Sequence, residues 1–274
     1  MKIQTTYFDV KRRRESISQF LIFSHRIGMR LLGFLIFFSI WYIVWASGLV
    51  QRELIPRPDQ IIVQLIYNFT ESGLLWDLLS SVQRVVIGLI IGMTLALPVG
   101  FALAWYPKIG LIFKTLINSF RALPPIALSP LVIVFLGIGE VARTSILIYA
   151  AFFSSLVVIY EAVSAIEEVY IRAARVLGTN EWEIFRKIVV PLLIPNLFVA
   201  LRISLGVCWG TLVAAELLAA ERGLGAVIQN AGNYFKIKDI YVGLFCIGAV
   251  ALTMDAIISK TMGIVVNWQD RVER

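Results

Sequence analysis

Six long stretches of the chain are almost entirely apolar, and polar residues collect in the intervals between them. These stretches run from about 30 to 50, 78 to 104, 110 to 137, 142 to 160, 193 to 216 and 241 to 262. A helix needs roughly 20 mostly apolar residues to cross the hydrocarbon core of a bilayer. The pattern therefore predicts an all-α integral membrane protein with about six transmembrane helices.

The composition agrees with a membrane location. Hydrophobic residues make up 59% of the 274 positions, charged residues make up 16%, and the mean hydropathy is +0.82. A water-soluble fold of this length has too little interior for so much apolar surface. The basic run at 11–14 precedes an apolar stretch, as in a secretory leader, but that stretch is long enough to span. We therefore expect a cytoplasmic tail at 1–29 and a membrane domain at 30–274.

The net charge of +7 would fit a nucleic-acid-binding protein, but the basic residues lie beside the apolar stretches, where they fix orientation in a membrane. With the N-terminus inside, the inner segments hold 16 lysines and arginines and the outer segments hold 6. This asymmetry predicts that both termini are cytoplasmic and that nucleic acid is not a partner. The two cysteines, Cys208 and Cys246, show no disulfide or metal-ligand spacing.

Small residues recur every four positions in two of the predicted spans. One series consists of Gly88, Gly92, Ala96 and Gly100, and the other of Gly206, Gly210 and Ala214. A stripe of small residues lets a neighbouring helix backbone approach closely in lipid. Both stripes are predicted to be packing seams.

The third predicted span contains three prolines, at positions 124, 125 and 130. Each proline removes a helix hydrogen bond, and a broken backbone at membrane depth is tolerated only against protein or a water-filled cavity. This span is therefore a candidate wall of a translocation path, although a structural kink without ligand contact explains it equally well.

Ionisable residues also occur in or near the later spans. Arg202 and Asp255 could bind a ligand or could neutralise one another. Glu216 lies near the outer end of its span, where it could act as a gate, contact a partner protein or anchor the helix at the interface.

The polar stretch from Glu161 to Pro191 has a helix-turn-helix pattern. Gly178 can take the left-handed conformation that ends a first helix, and Asn180 with Glu183 can form a capping box that starts a second. The pairs Glu168 with Arg172 and Glu183 with Lys187 have supporting four-residue spacing. An apolar stripe is predicted on the second helix at Trp182, Phe185, Ile188 and Val189. An amphipathic connector without further function would show the same features.

The spacing in this segment is more specific. Arg172-Ala173-Ala174 is followed after three residues by Gly178 and after nine more by Ile188-Val189-Val190-Pro191. This resembles the EAA loop of binding-protein-dependent ABC importer permeases, whose pattern is Glu-Ala-Ala, three residues, Gly, nine residues, Ile-any-Leu-Pro. Here Arg172 replaces the glutamate of the pattern and Val190 its leucine, so a contact made by that glutamate cannot be carried over.

The resemblance implies a type I ABC importer permease fold in the bacterial inner membrane. It implies that the 161–191 segment docks on a cytosolic ATPase dimer, which binds ATP and Mg, while this chain binds no cofactor. A second copy of the permease and an extracytoplasmic solute-binding protein are the other implied partners. The residues implied in ATPase coupling are Arg172, Ala173, Ala174, Gly178, Ile188 and Pro191. Those predicted along the translocation path are Arg121, Pro124, Pro125, Ser129, Arg202, Trp209 and Glu216.

Within the family, the stretch from Leu201 to Leu217 is most similar to taurine and aliphatic sulfonate permeases. Nitrate, bicarbonate and thiamine-precursor permeases are related, so the expected solute is a small anion, with a sulfonate first.

Other classes of membrane protein explain fewer features. The chain has no Gly-x-x-x-x-Gly-Lys-Ser/Thr phosphate loop, so any ATP hydrolysis must occur on another polypeptide. An ion-coupled transporter would favour inverted repeats, which are not evident. An intramembrane hydrolase is disfavoured, because a catalytic or metal site that uses histidine cannot form within the spans: the sole histidine, His25, lies in the tail. A scaffold without transport activity gives no reason for the EAA spacing.

Overall fold

The computed structural model describes Met29 and residues 32–217 and 221–266, and the regular elements in these ranges are all helical. The chain forms two compact units, 1–63 and 64–274. The helices are α1 Leu32–Ser47, α2 Pro58–Thr70, α3 Leu74–Trp105, α4 Pro107–Ala122, a 3-10 turn Pro125–Leu128, α5 Ser129–Leu136, α6 Glu140–Ser164, α7 Glu168–Val176, α8 Glu181–Ile184, a π-helical turn Phe185–Val189, α9 Val190–Leu217, α10 Leu224–Asn233 and α11 Ile237–Val265.

Helix α1 corresponds to the first predicted span. Its 16 residues extend about 24 Å, somewhat less than the roughly 30 Å of a bilayer core. Within the helix, the indole of Trp41 donates a hydrogen bond to the carbonyl of Pro56, which follows α1 in the chain and is 3.2 Å away. Residues 30 and 31 of the predicted span, and nearly all of the predicted tail at 1–29, lie outside the described residues.

Four helices are long and apolar enough to cross a membrane: Leu74–Trp105, Glu140–Ser164, Glu181–Leu217 and Ile237–Val265. They contain the second, fourth, fifth and sixth predicted spans. The helix Glu181–Leu217 begins well before the predicted start at 193, because α8, the π turn and α9 follow one another without a break. The π turn ends two residues before Pro191, whose missing N–H would interrupt regular α-helical hydrogen bonding.

The third predicted span is broken. Helix α4 and the following Pro125–Leu136 segment meet at an angle of 87°, so that they form either one bent span or a re-entrant pair, and counting them as one gives five spans. Leu123 and Pro124 are extended at the break. The prolines thus separate two helices rather than kink one.

Helices α3, α6 and α9 pack against one another and form the core of the second unit. The first small-residue stripe lies in this contact: a β-carbon on Gly88 would be 2.6 Å from Cβ of Leu147, and one on Gly92 would be 2.6 Å from Cβ of Ala151. The structure confirms this seam. The second stripe behaves differently, because a β-carbon on Gly206 or Gly210 would meet no described atom of this chain within 4 Å. The glycines of the second predicted seam are therefore not packed against the described residues of this chain.

Candidate functional site

The turn in the 161–191 segment has the geometry of a helix C-terminus closed by glycine. Gly178 has φ +78°, as its position in the sequence predicts. Beyond it, the backbone N–H of Thr179 donates to the carbonyl of Ala174 at 3.1 Å, and the Thr179 hydroxyl donates to the same oxygen at 2.7 Å. These bonds satisfy a carbonyl that the end of α7 would leave unpaired.

The capping box that starts the next helix is also present. The side chain of Asn180 accepts from the N–H of Glu183 at 2.9 Å, and the Glu183 carboxylate accepts from the N–H of Asn180 at 3.4 Å. A glycine turn and a capping box in direct succession fix both the end of α7 and the beginning of α8. The direction change at this corner is therefore set locally.

One side of this segment is buried against the rest of the chain, whereas the side chains beside the Gly178 turn are exposed. Ala174 and Ile184 are buried in the same cluster as Leu193. Val176 and Leu177, in contrast, are 87% and 84% exposed. Exposed aliphatic side chains at a rigid corner are typical of a surface that binds another protein.

Two details differ from the sequence-based expectation. Ala174 was expected to pack against an ATPase, but it is buried in this chain's own core, whereas Ala173 is exposed. The predicted apolar stripe on the second helix is also shifted, because the wider π turn changes which residues share a face. Ile184 and Val189 are buried, while Trp182 is 67% exposed.

Aromatic rings connect this segment to helix α3. Trp182 stacks on Phe185 at 5.5 Å, Phe185 meets Phe101 edge-on at 4.9 Å, and Phe101 stacks on Trp105 at 5.3 Å. Such pairs are favourable beyond the area they bury. These contacts join the segment to a membrane helix by continuous packing of aromatic rings.

Three ion pairs lie on the exposed side of the 161–191 segment. Arg172 pairs with Glu168, and Lys187 pairs with Glu183 at 2.8 Å, as the four-residue spacings predict. Arg175 bridges the corner to Glu181 at 2.9 Å, and this hydrogen bond raises the pKa of the Arg175 guanidinium. All are exposed pairs, which contribute little to stability.

The break in the third predicted span is held by a hydrogen bond from another helix. Pro124 has no N–H to offer the carbonyl of Phe120, which accepts from the N–H of Leu123 at 3.1 Å and from the hydroxyl of Tyr149. Past the break, the hydroxyl of Ser129 is buried without a hydrogen-bond partner among the described residues. Arg121 is exposed and lines a cavity beside α4.

At the opposite end of α3, four residues form a cluster of ion pairs and hydrogen bonds: Arg84, Glu140, Glu216 and Ser81, hereafter the Arg84 cluster. Three of them are buried, and the side chain of Glu140 is 60% exposed. The Arg84 guanidinium contacts Glu216 at 2.5 Å and makes two 2.7 Å bonds to Glu140. The Ser81 hydroxyl donates to the same Glu216 oxygen at 2.7 Å. The Glu216 side chain is 0% exposed.

The Arg84 cluster also holds the start of α10. The N–H of Gly225 donates to Glu216 at 2.7 Å, and that of Leu224 donates to the Ser81 hydroxyl at 2.9 Å. Gly223 has φ +134°, and a β-carbon there would overlap the Glu216 carboxylate. These contacts satisfy N–H groups that a helix start leaves unpaired, and they join α3, α9 and α10.

The remaining predicted path residues lie on α9. Arg202 forms a bidentate pair with Asp255 of α11 at 2.6 and 2.9 Å, which is the mutual neutralisation that the sequence left open. Trp209 is buried. The seven predicted path residues are thus divided among the α4–α5 break, α9 and the Arg84 cluster. In the described ranges, no group of three metal-ligating side chains lies together.

A family model described as "Binding-protein-dependent transport system inner membrane component" matches residues 87–271. The chain belongs to this family. A probable ABC transporter permease protein of Brucella abortus (strain 2308) is 36% identical, over 89% of this chain and 97% of that protein. The taurine transport system permease protein TauC of Escherichia coli K12 is 32% identical, over 79% of this chain and 81% of that protein.

Among solved structures, the MetNI methionine ABC transporter in an inward-facing conformation matches with a TM-score of 0.59 and 20% identity. The match covers 71% of this chain and 94% of that chain, and it shows the permease fold. The protein is accordingly a multi-pass inner-membrane permease of the ABC importer type, a transport subunit and not itself an enzyme.

Sequence reasoning missed the Arg84 cluster. Arg84 and Glu216 are 132 positions apart, and Glu140 stands before its predicted span, so no local pattern joins them. The available signal was the coincidence of two opposite intramembrane charges with the Gly223-Leu224-Gly225 motif.

Proposed function

We propose that this permease forms the translocation path of an ATP-driven importer for a small anion, with taurine or another aliphatic sulfonate as the solute. The observation that carries the proposal is the similarity to TauC at 32% identity over 79% of the chain. Nitrate and bicarbonate permeases are also similar, at 26% and 27% identity. Both compounds are small anions, so the charge class of the solute is better supported than its identity.

The 161–191 segment is the proposed docking site for the ATPase, on which ATP and Mg bind. The rigid corner at Gly178 and the exposed side chains of Val176 and Leu177 support this role. A series of ring contacts runs from Trp182 through Phe185 and Phe101 to Trp105, and it would connect the docked surface to helix α3. Arg172, Ala173, Ile188 and Pro191 belong to the same proposed coupling site.

A second copy of the permease and an extracytoplasmic solute-binding protein complete the proposed assembly. The exposed small-residue stripe on α9 supports the pairing of two permeases, since small residues allow close approach of helices in lipid. We expect the substitution Gly210→Cys to permit cross-linking of two copies, whereas Gly248→Cys on α11, also open to the surface, should give much less product. Equal yields would contradict a pairing through α9.

The proposed orientation places both termini in the cytoplasm. It rests on the 16-to-6 distribution of lysines and arginines. Reporter fusions after Arg57 and Lys236 should give an extracytoplasmic signal. Cytoplasmic signals from both would overturn the orientation.

The solute is tested by uptake into proteoliposomes that contain the permease, its ATPase and its binding protein. We expect uptake of labelled taurine that requires both ATP and the binding protein, with liposomes lacking the ATPase as the control. Transport of nitrate or bicarbonate without transport of taurine would assign the permease to those solutes instead.

A further inference from the structure

Helix α4 has two chemically different faces, although it forms part of the broken membrane-spanning pair. One face carries Phe113, Leu116 and Phe120 and borders an apolar cavity. The other carries Lys114, Asn118 and Arg121, which are spaced four and three residues apart and therefore share one side of the helix. This polar face lines a separate cavity of about 260 Å³.

The second cavity is enclosed on its other side by α6, which contributes Tyr160 and Glu161. Its ionisable lining therefore has two cationic side chains and one carboxylate. Neither Lys114 nor Arg121 forms an ion pair within the described ranges.

In contrast, Arg84 and Arg202, on the long helices α3 and α9, do form ion pairs. Arg84 is paired with Glu140 and Glu216, and Arg202 is paired with Asp255. A charged side chain at membrane depth normally pairs with protein or faces a water-filled cavity. The polar face of α4 thus presents to its cavity two cations that form no ion pair with a described residue.

The position of the cavity suits the last part of a translocation path. Seven residues separate Lys114 from Arg121, which is about 10 Å along the helix axis. Arg121 lies beside the break at Leu123, and Glu161 is the first residue of the 161–191 segment. The cavity therefore extends from the break toward the end of the molecule that carries the proposed ATPase docking site.

We propose that Lys114, Asn118 and Arg121 form an anion-binding site that holds the anionic group of the solute before it leaves on the cytoplasmic side. This inference rests on the proposed function and names the residues that recognise the charge of the solute. Ammonium, guanidinium and amide N–H groups all donate to oxyanions, and the two cations strengthen those bonds. Glu161 in the same cavity keeps the binding weak enough for release, which a conducting site requires.

A phospholipid headgroup presents the same oxyanion chemistry, so the experiment must separate the two sources. Importer containing Lys114→Gln or Arg121→Gln is reconstituted in phosphatidylcholine alone and in phosphatidylcholine with added phosphatidylglycerol. In both lipids we expect taurine uptake to fall by about tenfold, the effect of losing one charge-assisted hydrogen bond. ATPase co-purification should be unchanged.

The matched control is Lys108→Gln, because Lys108 is on the same helix but does not line the cavity. It should transport like the unmodified importer. Normal uptake by Lys114→Gln and Arg121→Gln would overturn the proposal. A defect that appears only with phosphatidylglycerol would also overturn it, because the site would then belong to a lipid.

A second measurement does not depend on which solute is transported. In Asn118→Cys, we expect an anionic sulfonatoethyl methanethiosulfonate to label the thiol faster, relative to its reactivity with a free thiol, than a cationic trimethylammonioethyl reagent. Adding Lys114→Gln should reduce that preference by about tenfold. The native thiols of Cys208 and Cys246 are buried, and the unmodified permease measures their background.

The two measurements distinguish the possible failures. Anion-selective labelling without uptake of any tested anion would support the site and refute the proposed solute class. Uptake of taurine without anion-selective labelling would support the proposed function and refute the site.

Discussion

The Arg84 cluster and the 161–191 segment both contain ion pairs, but only the first contains a pair in which both partners are buried, Arg84 with Glu216. In the Arg84 cluster, the Glu216 carboxylate is completely buried and accepts from three residues of two helices, Ser81 and Arg84 of α3 and Gly225 of α10. In the 161–191 segment, Arg172 and Glu168 are both about 70% exposed, at 70% and 69%. Removing one partner leaves a desolvated charge in the first case and a hydrated one in the second.

This difference indicates that the two regions are held together by different interactions. At the Arg84 cluster, buried ionic contacts join the helices. At the 161–191 segment, the shape of the backbone and a few buried apolar side chains set the geometry, and the charges are accessory. The following substitutions test that division, beginning with the largest expected effect.

Arg84→Leu should be the most damaging change, because it leaves Glu216 buried without its cation. We expect a loss of about 3 to 5 kcal/mol in stability, read as a large fall in the melting temperature of the purified permease. The double variant Arg84→Leu with Glu216→Gln should recover part of the loss, because no buried charge remains. Equal melting temperatures for Arg84→Leu and for Arg202→Leu, which breaks an exposed pair, would refute the comparison.

Ala174→Asp and Ala173→Asp test the buried and exposed sides of α7. Ala174 is 6% exposed, so a carboxylate there should cost about 2 to 3 kcal/mol and lower the melting temperature. Ala173→Asp should leave the melting temperature nearly unchanged and reduce only the recovery of ATPase in co-purification. The reverse pattern would show that α7 packs through its other side.

Gly223→Ala tests the junction between the Arg84 cluster and α10. Alanine there would be strained and would overlap the Glu216 carboxylate, at a cost of about 1 to 3 kcal/mol. Gly232→Ala in α10 is the control, because its new β-carbon would meet no described atom within 4 Å. A melting temperature equally unaffected by both changes would be inconsistent with this packing.

Gly178→Val should strain the corner of the 161–191 segment by about 1 to 2 kcal/mol, since a β-branched residue is unfavourable at φ +78°. We expect normal membrane insertion with reduced ATPase co-purification and reduced ATP turnover. Gly178→Asn is the control, because asparagine tolerates this conformation. If valine supports the same turnover as asparagine, the corner does not govern coupling.

Arg172→Gln should have the smallest effect, about 0.3 to 0.5 kcal/mol, because its partner Glu168 remains hydrated. Its melting temperature should be indistinguishable from that of the unmodified permease. A loss comparable to that of Arg84→Leu would contradict the distinction between the two regions.

Features that depend on near neighbours in the chain could be predicted from sequence. Gly178, the capping box at Asn180 and the seam at Gly88 all express local spacing, and the structure confirms them. The Arg84 cluster depends on helices that meet only after folding, so its charges were visible but their partnership was not. Ala174 was assigned to the ATPase surface by resemblance alone, and a sequence motif does not show whether a small residue packs against its own chain or against a partner.

The π-helical turn at Phe185–Val189 sets the rotational phase between the 161–191 segment and α9. A π turn contains more residues than an α turn, and each residue of an α-helix advances the chain by about 100° around the axis. Deleting one residue here would let the helix relax to regular winding and would turn everything upstream by roughly that angle. The corner at Gly178 would then face another direction while each helix kept its own sequence. A deletion or insertion at this position would therefore rotate the corner without changing its side chains, whereas a substitution in the corner would change a side chain without rotating the surface.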